Sequence, residues 1–410
     1  MVSRADRGVF AEWWWTVDKY LLSGIIGLML IGVVLSLAGS PPVAERIGLD
    51  SFHFVERHVG FLLPAIGILI ATSLLSPREV RRVALIVFLV SLALMFATLF
   101  IGQEVKGARR WINVLGFSLQ PSEFMKPSFV VLCAWLFTEN TRRSDIPGHI
   151  FGVLLLGAVA TLLVAQPDLG QTMLVVISWS VVFFMAGLSW FWIIALALLA
   201  MGGGVAAYTV FPHVASRINR FVDPGSTKDN FQVETALESI RNGGLLGRGP
   251  GEGLVKRILP DSHTDFIFAV GAEEFGAIFC VLLVMLFAFI VIRGLSHSLK
   301  KEDAFVRIAS AGLIVLFGVQ SCINLGVNLN LMPAKGMTLP FVSYGGSSML
   351  ALAFQMGLVL ALTRRRFEPV RLTSGFSAFP AEAPPTAKPA PQPLALPAPT
   401  VLVQPKAGTA

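Results

Sequence analysis

Residues 265–292 read DFIFAVGAEEFGAIFCVLLVMLFAFIVI, and this stretch decides the fold class. From Phe266 onward the run is apolar, and charge interrupts it only at Glu273 and Glu274. An α-helix needs about 20 mostly apolar residues to cross the hydrocarbon core of a bilayer. The stretch therefore predicts a membrane-spanning helix, with Asp265 at the boundary between water and lipid where the helix begins.

The composition of the whole chain also indicates a membrane protein. The chain has 410 residues, of which 54% are hydrophobic and 14% are charged, and its mean hydropathy is +0.72. Soluble domains carry about 25% charged residues, so this chain is far too apolar for one globular core. The sequence predicts an all-α polytopic membrane protein with about ten transmembrane helices. The predicted spans are 20–39, 59–76, 83–102, 122–139, 149–165, 171–187, 189–211, 266–292, 307–330 and 346–363.

The basic residues between the spans predict the orientation. The formal net charge is +7, and Lys and Arg concentrate on the cytoplasmic segments of membrane proteins. This rule places both termini in the cytoplasm, with an N-terminal segment at 1–19, a transmembrane domain at 20–365, and an extracytoplasmic loop at about 212–265 between helices seven and eight. The Pro- and Ala-rich tail, 366–410, is predicted to be disordered and cytoplasmic. No nucleic-acid motif accompanies the positive charge, so nucleic acid is not expected as a partner.

Polar residues cluster where the long loop enters the eighth span. Asp261, His263 and Asp265 lie within five positions of one another. A carboxylate at this depth can meet both a lipid-anchored substrate and water. Asp265 could also cap the helix N-terminus, and the two roles are compatible. Glu273 lies about 80° around the helix from Asp265, so it faces either the same cavity or a hydrogen-bonded structural position.

Three other patterns leave alternatives open. Gln320, Asn324 and Asn328 are spaced i, i+4, i+8 and so share one helix face, which serves either as contact between helices or as a polar cavity wall. The glycine-rich stretch 243–253 is either merely flexible or an anion-binding nest. The QPDLGQ stretch, 166–171, predicts a break between two spans, with Asp168 at the outer surface.

An outer segment, 103–126, carries an unexpected concentration of positive charge. Its basic residues are Lys106, Arg109, Arg110 and Lys126. Lys and Arg are normally kept off the outer side of a membrane protein, although long loops cross largely regardless of charge. We expect an anionic ligand to bind at this segment.

Four stretches resemble one family. They are GARRWI with QPSE within 107–123, QPDLG at 166–170, LP with HTDFIFA within 259–269, and KG with LPFVSYGGSS within 335–348. Together they are similar to the SEDS proteins (shape, elongation, division and sporulation), which are ten-span membrane glycosyltransferases that polymerise lipid II. Their order in the chain also matches that family.

The resemblance implies roles for individual residues. Asp265 corresponds to the essential catalytic acid of the family. The expected substrate-binding residues are Arg109, Arg110, Lys126, Asp168, Asp261, Lys335 and Ser343. Asp261 departs from the family pattern, which usually has Glu there. The Lys-Gly pair in 332–338 resembles the division-type member of the family, whereas the elongation-type member usually has Thr-Gly.

The resemblance implies a peptidoglycan glycosyltransferase that joins lipid II into β-1,4 glycan strands at the division septum of the inner membrane. Asp265 would be the general base, and Arg110, Lys126 and Lys335 would stabilise the charge of the departing pyrophosphate. The sequence shows no clear metal-ligand set, although Mg²⁺ or Mn²⁺ could share that task. The implied partners are a class B penicillin-binding transpeptidase and other divisome membrane proteins.

Three alternatives stay open. The first is a flippase for the lipid-linked precursor, which Glu273, Glu274 and the amide face would suit. The second is a scaffold that only recruits a transpeptidase. The third is a polymerase of the elongation type.

Overall fold

A computed structural model gives the architecture. It describes residues 8–105, 108–114, 116–143, 145, 147–187, 190–210, 215, 219, 231–333 and 336–365. Lys106, Lys335 and the predicted tail, 366–410, lie outside these ranges. The α-helices of the described part are α1 (Val9–Thr16), α2 (Lys19–Arg46), α3 (His53–Ser73), α4 (Pro77–Ile101), α5 (Pro121–Arg142), α6 (Gly148–Ala165), α7 (Leu169–Met185), α8 (Trp190–Val210), α9 (Phe231–Gly243), α10 (Ile267–Leu299), α11 (Ala304–Asn328) and α12 (Gly346–Thr363).

A helix occupies each of the ten predicted spans, namely α2 to α8 and α10 to α12. Seven of them, α2, α3, α4, α6, α10, α11 and α12, are long and apolar enough to cross a membrane by themselves. The helix α7 is apolar but has only 17 residues. The fold is therefore a multi-pass helical membrane bundle, as the sequence predicts.

The bundle has two ends. At one end, which we call the terminal end, Trp13 Nε1 donates to Ser73 Oγ at 2.7 Å, and the Arg365 backbone N–H donates to Thr16 O at 3.1 Å. Successive helices run up and down between this end and the opposite one, which we call the loop end. Because the number of spans is even, the first and last of them both meet the terminal end.

Helix starts follow from local sequence. Asp18 caps α2 and accepts from the Tyr20 and Leu21 N–H groups at 3.0 and 3.2 Å. Ser76 and Glu79 form a capping box at the start of α4. Short polar side chains at these positions satisfy N–H groups that the first helical turn leaves unpaired.

A small antiparallel sheet at the loop end accompanies the helices. Its strands are β1 (Gln103–Val105), β2 (Ala108–Val114) and β3 (Phe117–Leu119), in the order β1-β2-β3. Successive side chains of a strand point to opposite faces. Arg109 and Arg110, which are neighbours in β2, therefore point in opposite directions.

The glycine-rich loop after α9 packs directly on the backbone of α10. Arg248 N donates to Glu273 O at 2.8 Å, and Ala277 N donates to Gly244 O at 2.9 Å. The helix is kinked at Gly276, which has φ +82°, and a Cβ there would overlap the Gly247 backbone. The glycines therefore allow close contact between two backbones, so the expectation of mere flexibility is wrong.

Candidate active site

Asp265 lies at the loop end, immediately before α10, and its side chain is half-buried. The N-cap residue of α10 is Phe266, whose side chain forms no capping hydrogen bond. Asp265 therefore lies one residue before the N-cap position that the sequence predicts for it. A Cβ added to Gly336 would lie 3.7 Å from Asp265 Oδ2, so the carboxylate adjoins the segment that leads into α12.

The amides of α11 hold the backbone of Asp265. Asn324 Nδ2 and Asn328 Nδ2 each donate to Asp265 O at 2.9 Å. Asn324 Nδ2 also donates to Met337 O at 2.6 Å, and Asn328 Oδ1 accepts from Ala269 N at 3.3 Å. The shared amide face that the spacing predicts is confirmed, and its main partners are backbone groups of the Asp265 region.

The third amide of that face joins a buried ion pair. Gln320 Oε1 accepts from Lys126 Nζ at 3.3 Å, and Lys126 Nζ also donates to Glu123 Oε2 at 2.9 Å. Glu123 Oε1 in turn accepts from Gln171 Nε2 at 2.7 Å. The Lys126 side chain is only 2% exposed. In this conformation Glu123 and Gln320 surround its ammonium group and shield it from solvent.

Arg110 and Asp168 form the outer part of the same network. Arg110 Nη1 lies 3.4 Å from Asp168 Oδ2, and Arg110 Nε donates to Gln166 O at 3.0 Å. Asp168 caps α7 by accepting from Gln171 N at 3.2 Å. Burial raises the pKa of the Asp168 carboxyl, while the Arg110 guanidinium acts in the opposite direction. A polar chain thus runs from Arg110 to Gln320 on α11, the helix whose Asn324 and Asn328 hold Asp265.

The other predicted site residues lie apart from this chain. Arg109 is exposed and pairs with Glu104 at 3.5 Å on the sheet. Ser343 is buried, and its Oγ accepts from Leu339 N at 2.8 Å, so it stabilises the turn before α12. Asp261 lies in the loop before Asp265 with φ +52°. Lys335 is outside the described residues.

Glu273 and Glu274 anchor the loop that joins α9 to α10. Glu273 is buried and accepts from Ser239 Oγ, Val255 N and Lys256 N at 2.8 to 2.9 Å. Glu274 forms an ion pair with Lys256 Nζ. The sequence left two interpretations of Glu273, a cavity shared with Asp265 or a hydrogen-bonded structural position. The structural position is confirmed.

Sequence analysis did not assign a role to several residues near Asp265. Glu123 and Gln171 connect the two halves of the polar chain, and both lie in or beside motifs that the sequence already marks. The rings of Phe54 and Tyr344 flank His263, with centroids 4.4 and 5.6 Å from its ring. No short motif signals Phe54, because it comes from α3 and meets His263 only in the fold.

Within the described ranges, no group of three or more His, Cys, Asp or Glu residues could hold a metal ion. The donor set around Asp265 therefore does not form a metal centre from described residues alone.

Comparison with known proteins identifies the family. The family model for FtsW, RodA and SpoVE, described as "Cell cycle protein", matches residues 19–367. The chain belongs to this family, the SEDS proteins. The resemblance seen in the four motifs is therefore confirmed.

Two SEDS relatives illustrate the similarity. The chain is 48% identical over 365 residues to a probable peptidoglycan glycosyltransferase FtsW of Caulobacter vibrioides, covering 89% of this chain and 93% of that protein. It is 32% identical over 360 residues to the probable peptidoglycan glycosyltransferase FtsW of Geobacter sulfurreducens, covering 85% and 95%.

Solved SEDS structures share the fold. One is a chain of a peptidoglycan synthase complex that coordinates polymerization and crosslinking, with a TM-score of 0.71, 28% identity, and coverage of 85% of this chain and 97% of that chain. Another is the rod shape determining protein RodA of Thermus thermophilus, with a TM-score of 0.63, 27% identity, and coverage of 87% and 99%. This SEDS chain is a multi-pass membrane protein of the inner membrane.

Proposed function

We propose that the chain is a division-type peptidoglycan glycosyltransferase that polymerises lipid II, with Asp265 as general base. The observation that carries the proposal is the half-buried Asp265 carboxylate, whose backbone is fixed by Asn324 and Asn328. The relatives' names as peptidoglycan glycosyltransferases support the same reaction. A fixed and partly accessible carboxylate is what general-base catalysis requires.

The reaction joins the acceptor sugar to the anomeric carbon of the donor. Asp265 takes the proton of the acceptor hydroxyl as its oxygen attacks that carbon. The bond from the anomeric carbon to the pyrophosphate oxygen breaks, and the lipid pyrophosphate leaves with the electron pair. Attack opposite the leaving group inverts an α-linked donor into a β-1,4 product. A positioned base contributes on the order of 10²–10⁴-fold to such a step.

Cations near the outer surface would stabilise the leaving pyrophosphate. The Arg110 side chain is 21% exposed, and its guanidinium can form paired hydrogen bonds with phosphate oxygens. Lys335 precedes Gly336, which adjoins Asp265, so it is a second candidate. Lys126 is buried, and we assign it the role of holding Glu123 and Gln320 in place.

The proposed orientation puts the loop end on the extracytoplasmic side of the membrane and both termini in the cytoplasm. The terminal end carries the basic residues Arg78, Arg82, Arg142, Arg143, Arg293, Lys300 and Arg307. Such a concentration of Lys and Arg is typical of cytoplasmic segments. Asp265 then faces the outer leaflet, where a lipid-linked precursor can meet extracytoplasmic water.

The division role rests on two supports. The Lys335–Gly336 pair resembles the division type, and the relatives compared above are named FtsW. One structural neighbour belongs to a complex that couples polymerization with crosslinking. We therefore propose the septum as the site of action, with a class B penicillin-binding transpeptidase and other divisome membrane proteins as partners.

The test uses purified full-length protein with labelled lipid II, and the product is scored as glycan polymer on a gel. We expect polymer from the wild type and none from Asp265→Ala. Asp50→Asn, an exposed acid between α2 and α3, is the matched control and should retain polymer formation. Polymer from Asp265→Ala at the wild-type rate would overturn the assignment.

The same protein in vesicles separates the rival functions. Translocation of labelled lipid II with no polymer would favour a flippase. Normal division of cells that carry only Asp265→Ala would favour a scaffold. A further test expresses the protein in cells depleted of their own elongation polymerase or of their own division polymerase. Rescue of elongation without rescue of division would favour the elongation type.

A further inference from the structure

A second cluster of charged side chains surrounds a cavity at the terminal end, across the bundle from Asp265. The cavity has a volume of about 180 Å³, far more than the roughly 10–15 Å³ that one water needs. Its wall comes from the junction of α1 and α2, the last turns of α10 and the end of α12. The space is large enough for a polar group of a ligand.

Positive charge dominates the cavity wall. Three permanent cations, Lys19, Arg293 and Arg365, line it against one carboxylate, Asp18, which leaves a formal charge of +2. Asp18 is already engaged, because it accepts from Arg293 Nε at 3.0 Å and caps α2. The cavity therefore favours an anion.

Aromatic rings hold Lys19 and Arg293 in place, and Asp18 offsets the charge of Arg293. Lys19 Nζ lies 4.5 Å from the ring centroid of Trp15 and 5.0 Å from that of Trp14. Arg293 lies over the Tyr20 ring at 4.6 Å, and its hydrogen bonds to Asp18 use Nε. Within the part of the chain that the structure covers, no carboxylate pairs with Lys19 or Arg365.

The mouth of the cavity carries the features of a membrane surface. Two aromatic residues of its wall, Trp15 at the end of α1 and Tyr20 at the start of α2, are 41% and 66% exposed, while Trp13 fastens α1 to Ser73. Trp and Tyr side chains concentrate at the headgroup level of bilayers. The short helix α1 thus lies where phospholipid headgroups would reach the cavity.

We propose that this cavity binds the phosphate of an anionic phospholipid headgroup from the leaflet at the terminal end. Lys19 and Arg365 supply charge, and the Nη groups of Arg293 supply hydrogen bonds to phosphate oxygens. The exposed aromatic residues around the mouth favour a lipid over a soluble phosphate. This inference does not depend on the glycosyltransferase activity.

The test measures lipid binding to the full-length protein by native mass spectrometry. The probes are phosphatidylglycerol, phosphatidylcholine and soluble glycerol phosphate. We expect the wild type to retain phosphatidylglycerol in preference to phosphatidylcholine. The double variant Lys19→Gln/Arg365→Gln should bind phosphatidylglycerol roughly 25-fold more weakly, since each basic side chain near an anionic surface contributes roughly fivefold in affinity.

The matched control is Arg78→Gln/Arg82→Gln, which removes two exposed charges at the same end outside the cavity. This control should keep the preference for phosphatidylglycerol. Equal losses in both double variants, or no loss in the cavity variant, would overturn the proposal. Displacement of phosphatidylglycerol by equimolar glycerol phosphate would refute a lipid ligand and indicate a soluble phosphate. Lys19 is exposed, so Lys19→Glu alone gives a stable second test and must also lose the preference.

Discussion

Asn324 Nδ2 donates to the backbone oxygen of Asp265 at 2.9 Å, and Asn328 Nδ2 donates to the same oxygen at 2.9 Å. The residue proposed as the base is therefore positioned through its backbone by a neighbouring helix. Asn324 also binds Met337 O at 2.6 Å, so one amide holds both sides of the site. Both amides are buried, so water cannot replace lost partners and such bonds fix geometry strongly.

Removal of the Asn324 amide should impair catalysis more than substrate binding. In Asn324→Leu the Asp265 carbonyl keeps only Asn328 as a donor from this face, and Met337 O loses its amide partner. A displacement of about 1 Å in a catalytic group can cost on the order of 100-fold in rate. We expect the polymerisation kcat to fall about 10- to 100-fold with little change in KM, measured by initial rates with labelled lipid II.

A buried amide elsewhere provides the control for that variant. Gln355 on α12 is buried and donates to Leu313 O at 2.8 Å, away from Asp265. Gln355→Leu should lower the melting temperature about as much as Asn324→Leu but leave kcat near the wild-type value. Similar losses of kcat in both variants would argue against a specific positioning role for Asn324.

Two glycines in the loop after α9 allow the cost of an unfavourable φ angle to be measured separately from the cost of steric overlap. Gly247 and Gly251 have φ +84° and +87°, but a Cβ on Gly247 would overlap Glu274 O, whereas a Cβ on Gly251 meets nothing within 4 Å. Gly251→Ala should cost about 1 kcal/mol, because L-residues disfavour this conformation. Gly247→Ala should cost several times more. The melting temperatures of the two variants in detergent measure the difference, and equal decreases would contradict the close packing.

Glu273 should matter more for the stability of the loop between α9 and α10 than for the glycosyl transfer. Its carboxylate accepts three hydrogen bonds from residues 239, 255 and 256. Loss of a buried charged acceptor costs about 2 kcal/mol or more, since the donors are left unsatisfied. Glu273→Ala should expose residues 244–257 to protease, detected by mass spectrometry of the fragments. Glu234→Ala, at an exposed position of α9, should leave cleavage unchanged, and protection of the loop in Glu273→Ala would refute the role.

The Asp168 carboxyl should make stability depend on pH. Burial raises its pKa above the ordinary value of 3.8, despite the Arg110 guanidinium. A raised pKa in the folded state means that the stabilisation is complete below the unfolded-state pKa and is lost as pH rises through the folded-state pKa. The melting temperature of the wild type minus that of Asp168→Asn should therefore fall as pH rises above the ordinary carboxyl pKa of 3.8. A rise of that difference over the same range would contradict the buried position.

Much of the fold could be predicted from local patterns. Apolar runs of the required length locate the ten spans, because a bilayer imposes that length on every helix. The i, i+4, i+8 spacing of Gln320, Asn324 and Asn328 predicts a shared face. Long-range contacts were harder to predict from the sequence. The partners of Glu273 come from residues 239–256, whose path over α10 depends on glycines that fit its backbone.

At the candidate site, too, local motifs could be predicted from the sequence, whereas contacts between distant segments could not. Motifs mark Arg110, Asp168 and Asp265, and the fold joins Arg110 to Asp168 directly. The N-cap position that the sequence predicts at Asp265 falls on Phe266 instead, because helix boundaries shift by a residue or two relative to sequence patterns. The burial of Lys126 depends on Glu123, Gln171 and Gln320 from three helices, which no spacing along the chain reveals.

The central claim is that Asp265 performs the chemistry and does not merely bind the substrate. The most direct test measures lipid II affinity and single-turnover polymer formation side by side for the wild type and Asp265→Asn, in purified full-length protein. The account predicts affinity within about threefold of the wild type and a rate reduced by at least about 10²-fold. Polymer formed by Asp265→Asn at the wild-type rate would contradict the account.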